Sequence, residues 1–450
     1  MATSTLAASS ETVDEKLNFK KILPIFVIVL IDLLGLTIII PLMPLYATAF
    51  GASPLLIGVL GAAYPVMQFI GAPLLGRLSD RYGRKPVLMV SQLGTFIGFV
   101  ILGLANSLWM LFLARILDGL SGANISTAQA AISDSTTEKT RTQGLGLVGA
   151  AFGIGFILGP IIAFVSLAAS GNNYHVPAFV AAGFSLASIL LTWFWFEETL
   201  PRELRQSKAK KPPFTLTAMA EALRHPAVGF LLVLIFAQQI AFGGFEQLLA
   251  LFTLNRLGLN ASGNAIIFVF VGLIVVAVQG GLIGRWSRKY GERRLILAGL
   301  ATLAIGLSLT AMTPRQPMPS YSKAALQAEL QGSATFRTHE NPTTQNLTID
   351  LPEDTQKGWF GLGWLLIAMI PAAVGGGILQ PSINSLISQK ARKDEVGGLL
   401  GISAAFLSGA NAIAPLVGGL IFQAWGSTAP FLIFGLIMAI LLILAFFKVR

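Results

Sequence analysis

Long runs of apolar residues are the feature that most constrains how this chain can fold. Runs of about 18 or more apolar residues recur along the whole 450-residue sequence, and each is long enough to cross a bilayer as a helix. Only 12% of the residues are charged, against roughly 25% in an average soluble protein. Because this composition cannot cover a water-soluble globule with polar surface, the sequence predicts an all-α membrane protein.

We predict twelve membrane-spanning helices in two six-helix halves. The apolar runs place the helices at residues 22–49, 54–76, 86–105, 108–131, 142–169, 176–196, 227–254, 263–284, 295–313, 359–389, 397–423 and 428–447. Residues 1–21 form a polar cytoplasmic tail, and the run after them is too long for a signal-peptide core, so it is retained as a helix. Residues 197–226, rich in Lys, Pro and acidic residues, are a solvated linker between the halves 22–196 and 227–447.

Residues 314–357 are predicted to form a long loop on the outer side of the membrane. The segment has a Pro-rich start followed by YSKAALQAELQ, a stretch with helical character. Loops of this length are usually functional or disordered. The segment is either a tolerated insert or a lid or partner-binding site.

The placement of the basic residues predicts the orientation of the chain. With both termini in the cytoplasm, 25 of the 31 Lys and Arg residues fall in cytoplasmic segments. Arg115 lies inside a helix, and the remaining five face outward: Arg256, Arg315, Lys323, Arg337 and Lys357. This asymmetry follows the positive-inside rule. The net charge of +10 therefore reports topology in a lipid bilayer and not a nucleic-acid partner.

A charged run occurs twice, between the second and third predicted helix of each half. Gly76–Pro86 reads GRLSDRYGRKP, and 208 positions later Gly284–Arg294 reads GRWSRKYGERR. Duplicated six-helix halves are a known transporter architecture with the substrate site between them near the midplane. We expect each run to be a cytoplasmic turn, with Gly76 and Gly83 allowing the backbone to turn tightly.

Four charged residues lie inside the predicted helices, where each costs about 2.5–3.5 kcal/mol and needs a partner or a purpose. Asp32 lies near the midplane of the first helix, with Arg115 and Asp118 one turn apart on the fourth helix at a similar depth. A carboxyl that alternates between a desolvated environment and one beside an arginine takes up and releases a proton. We predict that Asp32 carries the proton and that Arg115 tunes it.

Other roles for these charges stay open. Arg115 could pair statically with Asp118 or Asp32. Glu246, in the outer half of the seventh helix, could be a second proton site, a counter-charge for a cationic substrate, or a carboxylate that simply reaches the interface.

Nine amide side chains inside the helices could line a substrate cavity. They are Gln68, Asn124, Gln129, Gln238, Gln239, Gln279, Gln380, Asn384 and Asn411. Together with Phe69, Phe242 and Phe245, they suit an amphiphilic aromatic compound better than a sugar, which needs a denser polar lining. Taken singly, each amide could instead be a hydrogen bond between helices.

The fifth predicted helix carries GAAFGIGFILGP, with two pairs of glycines four residues apart. The pairs are Gly149 with Gly153 and Gly155 with Gly159, and Pro160 follows them. Small residues at this spacing permit close backbone contact, and a proline permits a kink. The run is either an adjustable contact needed for transport or ordinary helix packing.

Several kinds of chemistry find no support in the sequence. The chain has no cysteine, and His175, His225 and His339 lack the spacing of metal ligands. No phosphate-binding loop is present, so ATP-driven transport is unsupported. We expect no metal, no cofactor and no enzymatic activity.

Four motifs, in order, resemble those of the major facilitator superfamily across nearly the whole chain. Gly76–Pro86 resembles its loop signature, Leu113–Gly122 its fourth-helix motif and Gly149–Pro160 its fifth-helix antiporter motif. Ile31–Pro44 is similar to the first helix of the tetracycline/H+ antiporters, within the drug:H+ antiporter branch. The resemblance implies a twelve-helix, monomeric, multi-pass protein of the cell membrane. It also implies export of a small amphiphilic compound in exchange for protons, driven by the proton gradient.

The resemblance also implies a role for Asp80. In the family this carboxylate faces the start of the eleventh helix when the cytoplasmic side closes, where a helix N-terminus stabilises it by about 0.3–1 kcal/mol. Asp80 would thereby favour the outward-facing state, with Arg81 and Arg84 as network partners. The alternative is a charged turn that only anchors topology. Arg288 occupies the matching position of the second copy, so no equivalent latch is expected there.

Two other functions compete with drug export. A proton-coupled symporter of a nutrient, organic acid or sugar could use the same fold, although the fifth-helix motif disfavours it. A membrane scaffold that binds partners through residues 314–357 is a third reading. Asp32 and Arg115 argue against the scaffold, because a scaffold gains nothing from their insertion cost.

Overall fold

The chain folds as a bundle of long helices. The computed structural model describes residues 19–122, 124–137, 140–205, 216–226, 228–334, 349–391 and 396–449. In these residues the α-helices are α1 (Phe19–Ile39), α2 (Met43–Ala49), α3 (Pro54–Tyr82), α4 (Arg84–Gly103), α5 (Leu108–Ser121), α6 (Asn124–Asp134), α7 (Arg141–Ala169), α8 (His175–Phe194), α9 (Leu216–Arg224), α10 (Gly229–Leu257), α11 (Ala261–Ala277), α12 (Ile283–Tyr290), α13 (Glu292–Ala311), α14 (Lys323–Ala334), α15 (Phe360–Lys390), α16 (Val396–Trp425) and α17 (Ala429–Lys448). A π-helical turn, Val278–Leu282, joins α11 to α12.

Twelve helical segments of the described chain are long and apolar enough to cross a membrane. They are α1, α3, α4, α5 with α6, α7, α8, α10, α11 with α12, α13, α15, α16 and α17. The predicted class, an all-α protein with twelve spans, is confirmed. The helical stretch predicted within the long loop is α14.

The prediction of one continuous helix over residues 22–49 is wrong, because the structure has two helices there. Helix α1 ends at Ile39, and α2 begins at Met43 with Pro44 in its first turn. Pro41, between the two helices, lacks a backbone N–H, and its ring disfavours helical geometry at the preceding residue. The two prolines therefore turn the outer part of the run into a separate short helix.

The prediction that Gly76–Pro86 forms a turn is also wrong in extent. Helix α3 continues through Asp80 to Tyr82, and only Gly83, at φ 107°, interrupts the path into α4. The second copy behaves in the same way, since α12 ends at Tyr290 and Gly291 has φ 76°. Positive φ is readily available only to glycine, so one residue makes each turn. Gly76 itself is helical.

The two ends of the bundle differ in what they carry, and we call them the basic end and the insert end. The basic end carries the turns at Gly83 and Gly291, and the insert end carries α14 and the start of α3. The main helix contacts between the first six spans and the last six are those of α3 with α16 and of α7 with α11.

The helix pairs are in close contact towards the insert end. A Cβ on Gly58 of α3 would overlap the Pro415 carbonyl oxygen of α16 and lie 3.1 Å from the Cα of Gly419. The Leu55 N–H donates to Gln423 Oε1 at 3.1 Å. Such separations leave no room for a side chain between the two backbones, so the halves are closed at this end.

Towards the basic end, several glycines of the same helices and of the π-helical turn after α11 have open space beside them. Among the described residues, a Cβ built on Gly76, Gly149, Gly280 or Gly401 would meet no atom within 4 Å. The bundle is therefore closed at the insert end and open at the basic end.

Candidate functional site

A small cavity among the first six spans brings two predicted charges together. Its volume is about 20 Å³, enough for one water molecule. The lining residues are Asp32, Leu33, Leu36, Tyr64, Thr95, Phe99, Asp118, Gly122 and Ile125. Asp32 of α1 and Asp118 of α5 thus line one cavity, although 86 positions separate them in the sequence.

Arg115 supplies a positive charge beside this cavity and pairs with Asp118. Its Nη1 lies 2.9 Å from Asp118 Oδ2, and both residues are buried. Its guanidinium carbon sits 4.4 Å above the centre of the Tyr64 ring. An arginine is attracted to an aromatic face, and in a water-poor site this contact strengthens. The ion pair considered in the sequence analysis is therefore present, and Tyr64 supports it from α3.

Asp32 has a neutral neighbour that the sequence analysis missed. Gln92 of α4 is fully buried, and its Nε2 donates to Ser188 Oγ at 2.8 Å and makes a long contact, 3.5 Å, with Asp32 Oδ2. Its place inside an apolar helix is the same signal that singled out the nine other amides. Tyr64 was missed for a different reason, because nothing in the sequence indicates that an aromatic ring covers Arg115.

Glu246 lies in α10, among the last six spans. The cavity lining in the described chain does not include it. The structure therefore groups Asp32, Asp118 and Arg115, and leaves Glu246 in a separate part of the bundle.

Most of the predicted amides bond within their own half. Gln68 Nε2 donates to Tyr64 Oη and to the Gly122 carbonyl, each at 3.2 Å. Gln239 Nε2 donates to Asn411 Oδ1 at 2.7 Å, joining α10 to α16. These bonds are the kind that hold membrane helices together.

The other amides have mixed surroundings. Gln279 Nε2 is 3.4 Å from the Gly377 carbonyl, and Asn384 Oδ1 accepts from Ser403 at 2.8 Å. Gln238 is buried, and its Oε1 has no hydrogen-bond partner within the described chain.

Three predicted positions add little to this picture. Gln129 is exposed and Gln380 is half-buried. Asn124 begins α6, but its side chain lies outside the described residues.

The charged run at the basic end is a buried network centred on Arg84. The Arg84 side chain donates to Asp134 Oδ2 at 2.9 Å, to Asp80 Oδ1 at 2.8 Å and to Ser79 Oγ at 2.6 Å. Arg84 is only 2% exposed, and a charge at such a site requires partners of this quality. Arg81 is exposed and contacts the Tyr82 ring instead.

Glu198, from the linker, completes this network. Its Oε1 accepts from the Arg84 backbone N–H at 2.8 Å, and its Oε2 from the Lys85 N–H at 3.2 Å. Both donors belong to the first turn of α4, where a carboxylate is favoured by the unpaired N–H groups and the helix dipole. A Cβ on Gly83 would overlap the Glu198 carboxylate, so this approach also requires glycine there.

The glycines of α7 face two different neighbours. A Cβ on Gly159 would overlap Thr37 of α1, and one on Gly155 would lie 3.4 Å from Leu33. Gly153 instead faces Val276 of α11, at 3.7 Å. Pro160 lies inside the helix, which continues from Arg141 to Ala169. The run thus packs on the helix that carries Asp32 and also faces the other half.

The described residues contain no group of three histidines or carboxylates that could hold a metal ion. The site is instead a set of buried charges in a twelve-span bundle that is closed at one end. These features define a membrane transporter. The chain belongs to the Major Facilitator Superfamily, whose family model matches residues 25–352 and 357–450.

Comparisons with individual proteins agree with this membership. The chain is 28% identical to the class B tetracycline resistance protein of Escherichia coli over 401 residues, which cover 88% of this chain and 87% of that one. It is 31% identical to multidrug resistance protein 2 of Bacillus subtilis (strain 168) over 290 residues, or 62% of this chain and 71% of that one.

Two solved structures share the fold. The human organic anion transporter MFSD10 matches with a TM-score of 0.60 and 22% identity, covering 96% of this chain and 99% of that one. The nucleoside transporter NupG matches with a TM-score of 0.67 and 14% identity, covering 96% and 99%. The protein is therefore a multi-pass membrane transporter of this superfamily.

Proposed function

We propose that this chain exports a small amphiphilic compound, tetracycline-like in character, in exchange for protons. The observation that carries the proposal is the cavity where Asp32 and Asp118 meet beside Arg115. Relatives that include tetracycline and multidrug resistance proteins support the substrate class. No cofactor is required, because the proton gradient supplies the energy.

In the proposed mechanism Asp32 exchanges the proton and Arg115 controls its release. The halves 22–196 and 227–447 rock against each other, so the space between them opens alternately to each side of the membrane. Gln92 positions the Asp32 carboxyl, and Arg115 is held in place by Asp118 and Tyr64. Movement of α1 relative to Arg115 alters how tightly Asp32 holds its proton. Gly155 and Gly159 carry no side chains of their own, so Leu33 and Thr37 of α1 lie directly against α7 at the place where α1 would move.

Orientation follows from the distribution of basic residues, which places the basic end in the cytoplasm. The conformation described above is then the one that takes up substrate from the cell. In it, Asp80 is bound to Arg84 of its own half. When the basic end closes, Asp80 turns towards the N-terminus of α16 and favours the state open to the outside.

Replacing Asp80 with alanine is expected to shift the balance towards the form open at the basic end. A helix N-terminus stabilises a carboxylate by about 0.3–1 kcal/mol, and loss of the ion pair between Asp80 and Arg84 in the open form offsets part of this, so the shift is at most about fivefold. The transport rate falls with it. Electron-electron distance measurements between labels on the two halves at the basic end check this prediction. Arg77→Ala, on the same helical segment, is the control. An unchanged balance between the two conformations in Asp80→Ala would rule out this role for Asp80.

The exchange itself is tested with proteoliposomes in weak buffer and no imposed gradient. Tetracycline, cationic dyes, quinolones and sugars are added in turn, and an electrode follows the external pH. Acidification on substrate entry is expected, because protons leave as substrate enters. Alkalinisation would mean symport and would overturn the proposal, as would silence across the panel. Protein-free liposomes are the control.

A further inference from the structure

The insert that precedes α15 is attached to the last six spans. Arg256 of α10 donates through Nε and Nη2 to the Thr313 carbonyl, at 3.1 and 2.6 Å. Asn255 Nδ2 donates to the Asp350 carbonyl at 2.7 Å. The ring of Tyr321 lies directly on Gly258, at the end of α10, where no side chain could fit. The insert therefore moves as part of the last six spans.

Helix α14 of this insert reaches across to the first six spans. It packs on α2, and its side chains Leu326 and Leu330, one turn apart, are buried. Residues four apart lie on the same face of a helix, so this face of α14 is apolar. The contact between α14 and α2 thus joins the two sets of spans at the insert end.

Glu329 lies between the two sets of spans. Its carboxylate accepts from Asn172 Nδ2 at 3.2 Å and from the Tyr174 hydroxyl at 3.3 Å, both in the loop between α7 and α8. It also accepts from Asn260 Nδ2, at the start of α11, at 3.1 Å. Ser262 donates to Asn172 Oδ1 beside it. One carboxylate therefore bridges a loop of the first half and a helix end of the second.

We infer that α14 is a strap that holds the insert end closed, with Glu329 as its fastening. The first six spans and the last six cannot separate at this end until the hydrogen bonds of Glu329 to Asn172 and Tyr174 break and α14 leaves α2. Two hydrogen bonds to one side chain would therefore have to break before this end opens. The strap adds to the contact of α3 with α16 and favours the conformation open at the basic end.

Asn172 offers a variant that removes contacts without distorting the loop. Its φ is 61°, a left-handed conformation that asparagine tolerates and glycine adopts freely. Asn172→Gly therefore keeps the backbone path and removes the bonds to Glu329 and Ser262. Glu329→Ala removes the carboxylate itself, and with it the bonds to Asn172, Tyr174 and Asn260.

The absence of cysteine from the sequence allows two spin labels to be placed at will. Leu104→Cys, after α4, and Met312→Cys, after α13, put labels on exposed positions of opposite halves at the insert end. The distance distribution between them measures how often this end opens, and no substrate is needed. The result is thus independent of whether the chain exports a drug.

Glu329→Ala and Asn172→Gly are each expected to raise the open population at the insert end at least severalfold. Glu353→Ala is the matched control, because its ion pair with Lys323, at 2.7 Å, lies within the insert. It should leave the distribution unchanged. The inference is overturned if both test variants, shown to be folded by thermal unfolding, keep the wild-type distance distribution. It is overturned equally if the control opens this end as far as they do.

Acidity on the insert side should tighten the strap. Burial raises the pKa of the Glu329 carboxyl, and the three donors offset only part of that rise. The titratable group in contact with it is Tyr174, whose own pKa burial raises well above 10. The other two contacts are amides, and α2 contributes Tyr46, which bonds to His175 Nδ1 at 2.8 Å. Because the docked carboxyl holds its proton more tightly than the released one, docking is favoured at low pH and weakened as the pH rises.

The same label pair tests this dependence from about pH 5 to 8. The closed population of the wild type is expected to grow as the pH falls, and Glu329→Gln is expected to show a flatter response. A pH response that is unchanged in Glu329→Gln would place the titrating group elsewhere and overturn this part of the inference.

Discussion

Asp32→Asn is expected to abolish concentrative export while leaving substrate binding and a bound-substrate exchange reaction in place. Asparagine has nearly the shape of aspartate and keeps an acceptor near Gln92, but it cannot carry a proton. Without that proton the gradient no longer drives the change of conformation. Uptake into inside-out vesicles under an imposed proton gradient should fall to the level of protein-free vesicles. Counterflow of labelled substrate, which needs no net proton movement, should persist.

Two further variants separate proton carriage from structural support at the cavity. Glu353→Gln, on the exposed insert, removes a carboxylate of the same chemistry and should transport normally. Gln92→Leu removes the amide that positions Asp32 and is expected to displace the pH profile of transport without eliminating it. Gradient-driven accumulation by Asp32→Asn would show that Asp32 is not the carrier, and Asp118 and Glu246 would then be the carboxylates to replace.

Gly58→Val is expected to stop transport by preventing closure at the insert end. A Cβ at this position would overlap the Pro415 carbonyl oxygen, and a backbone oxygen cannot swing aside as a flexible side chain can. Forcing atoms into a packed contact costs about 1–3 kcal/mol, a five- to 150-fold change in the balance of two conformations. The protein should therefore populate the form open at the insert end. The Leu104 and Met312 label pair reports the change directly.

The control for this variant is Gly183→Val on α8. Gly183 is exposed, and among the described residues a Cβ there would meet no atom within 4 Å. Both variants add the same side chain to a spanning helix, so any difference between them comes from the contact of α3 with α16. A wild-type distance distribution and normal transport in Gly58→Val would mean that this contact opens at no cost.

The number of spans could be predicted from the sequence because a bilayer leaves few alternatives. Every backbone polar group within it must be bonded, so each apolar run has to become a helix. The prediction failed where polar residues carry a helix beyond the apolar run, as at Asp80 in α3. It also failed at Pro41, where proline geometry overrides apolar continuity.

Of the four charges predicted inside the helices, Asp32 and Asp118 line the cavity and Glu246 does not, and the partners of these charges were not predictable in the same way. Asp32 and Asp118 attract notice because they are costly in an apolar helix. Tyr64 and Glu198 do not, since an aromatic residue in a span and a glutamate in a charged linker both look ordinary. Their roles depend on which helices meet, and that information is spread over positions far apart in the chain.

The position of α14 has a consequence for inhibition. The strap is fastened at the insert end, between a loop of one half and a helix end of the other, and α14 does not line the cavity that holds Asp32 and Asp118. A binder that clamps α14 onto α2 would therefore be expected to arrest the cycle from the surface of the insert end, without entering that cavity.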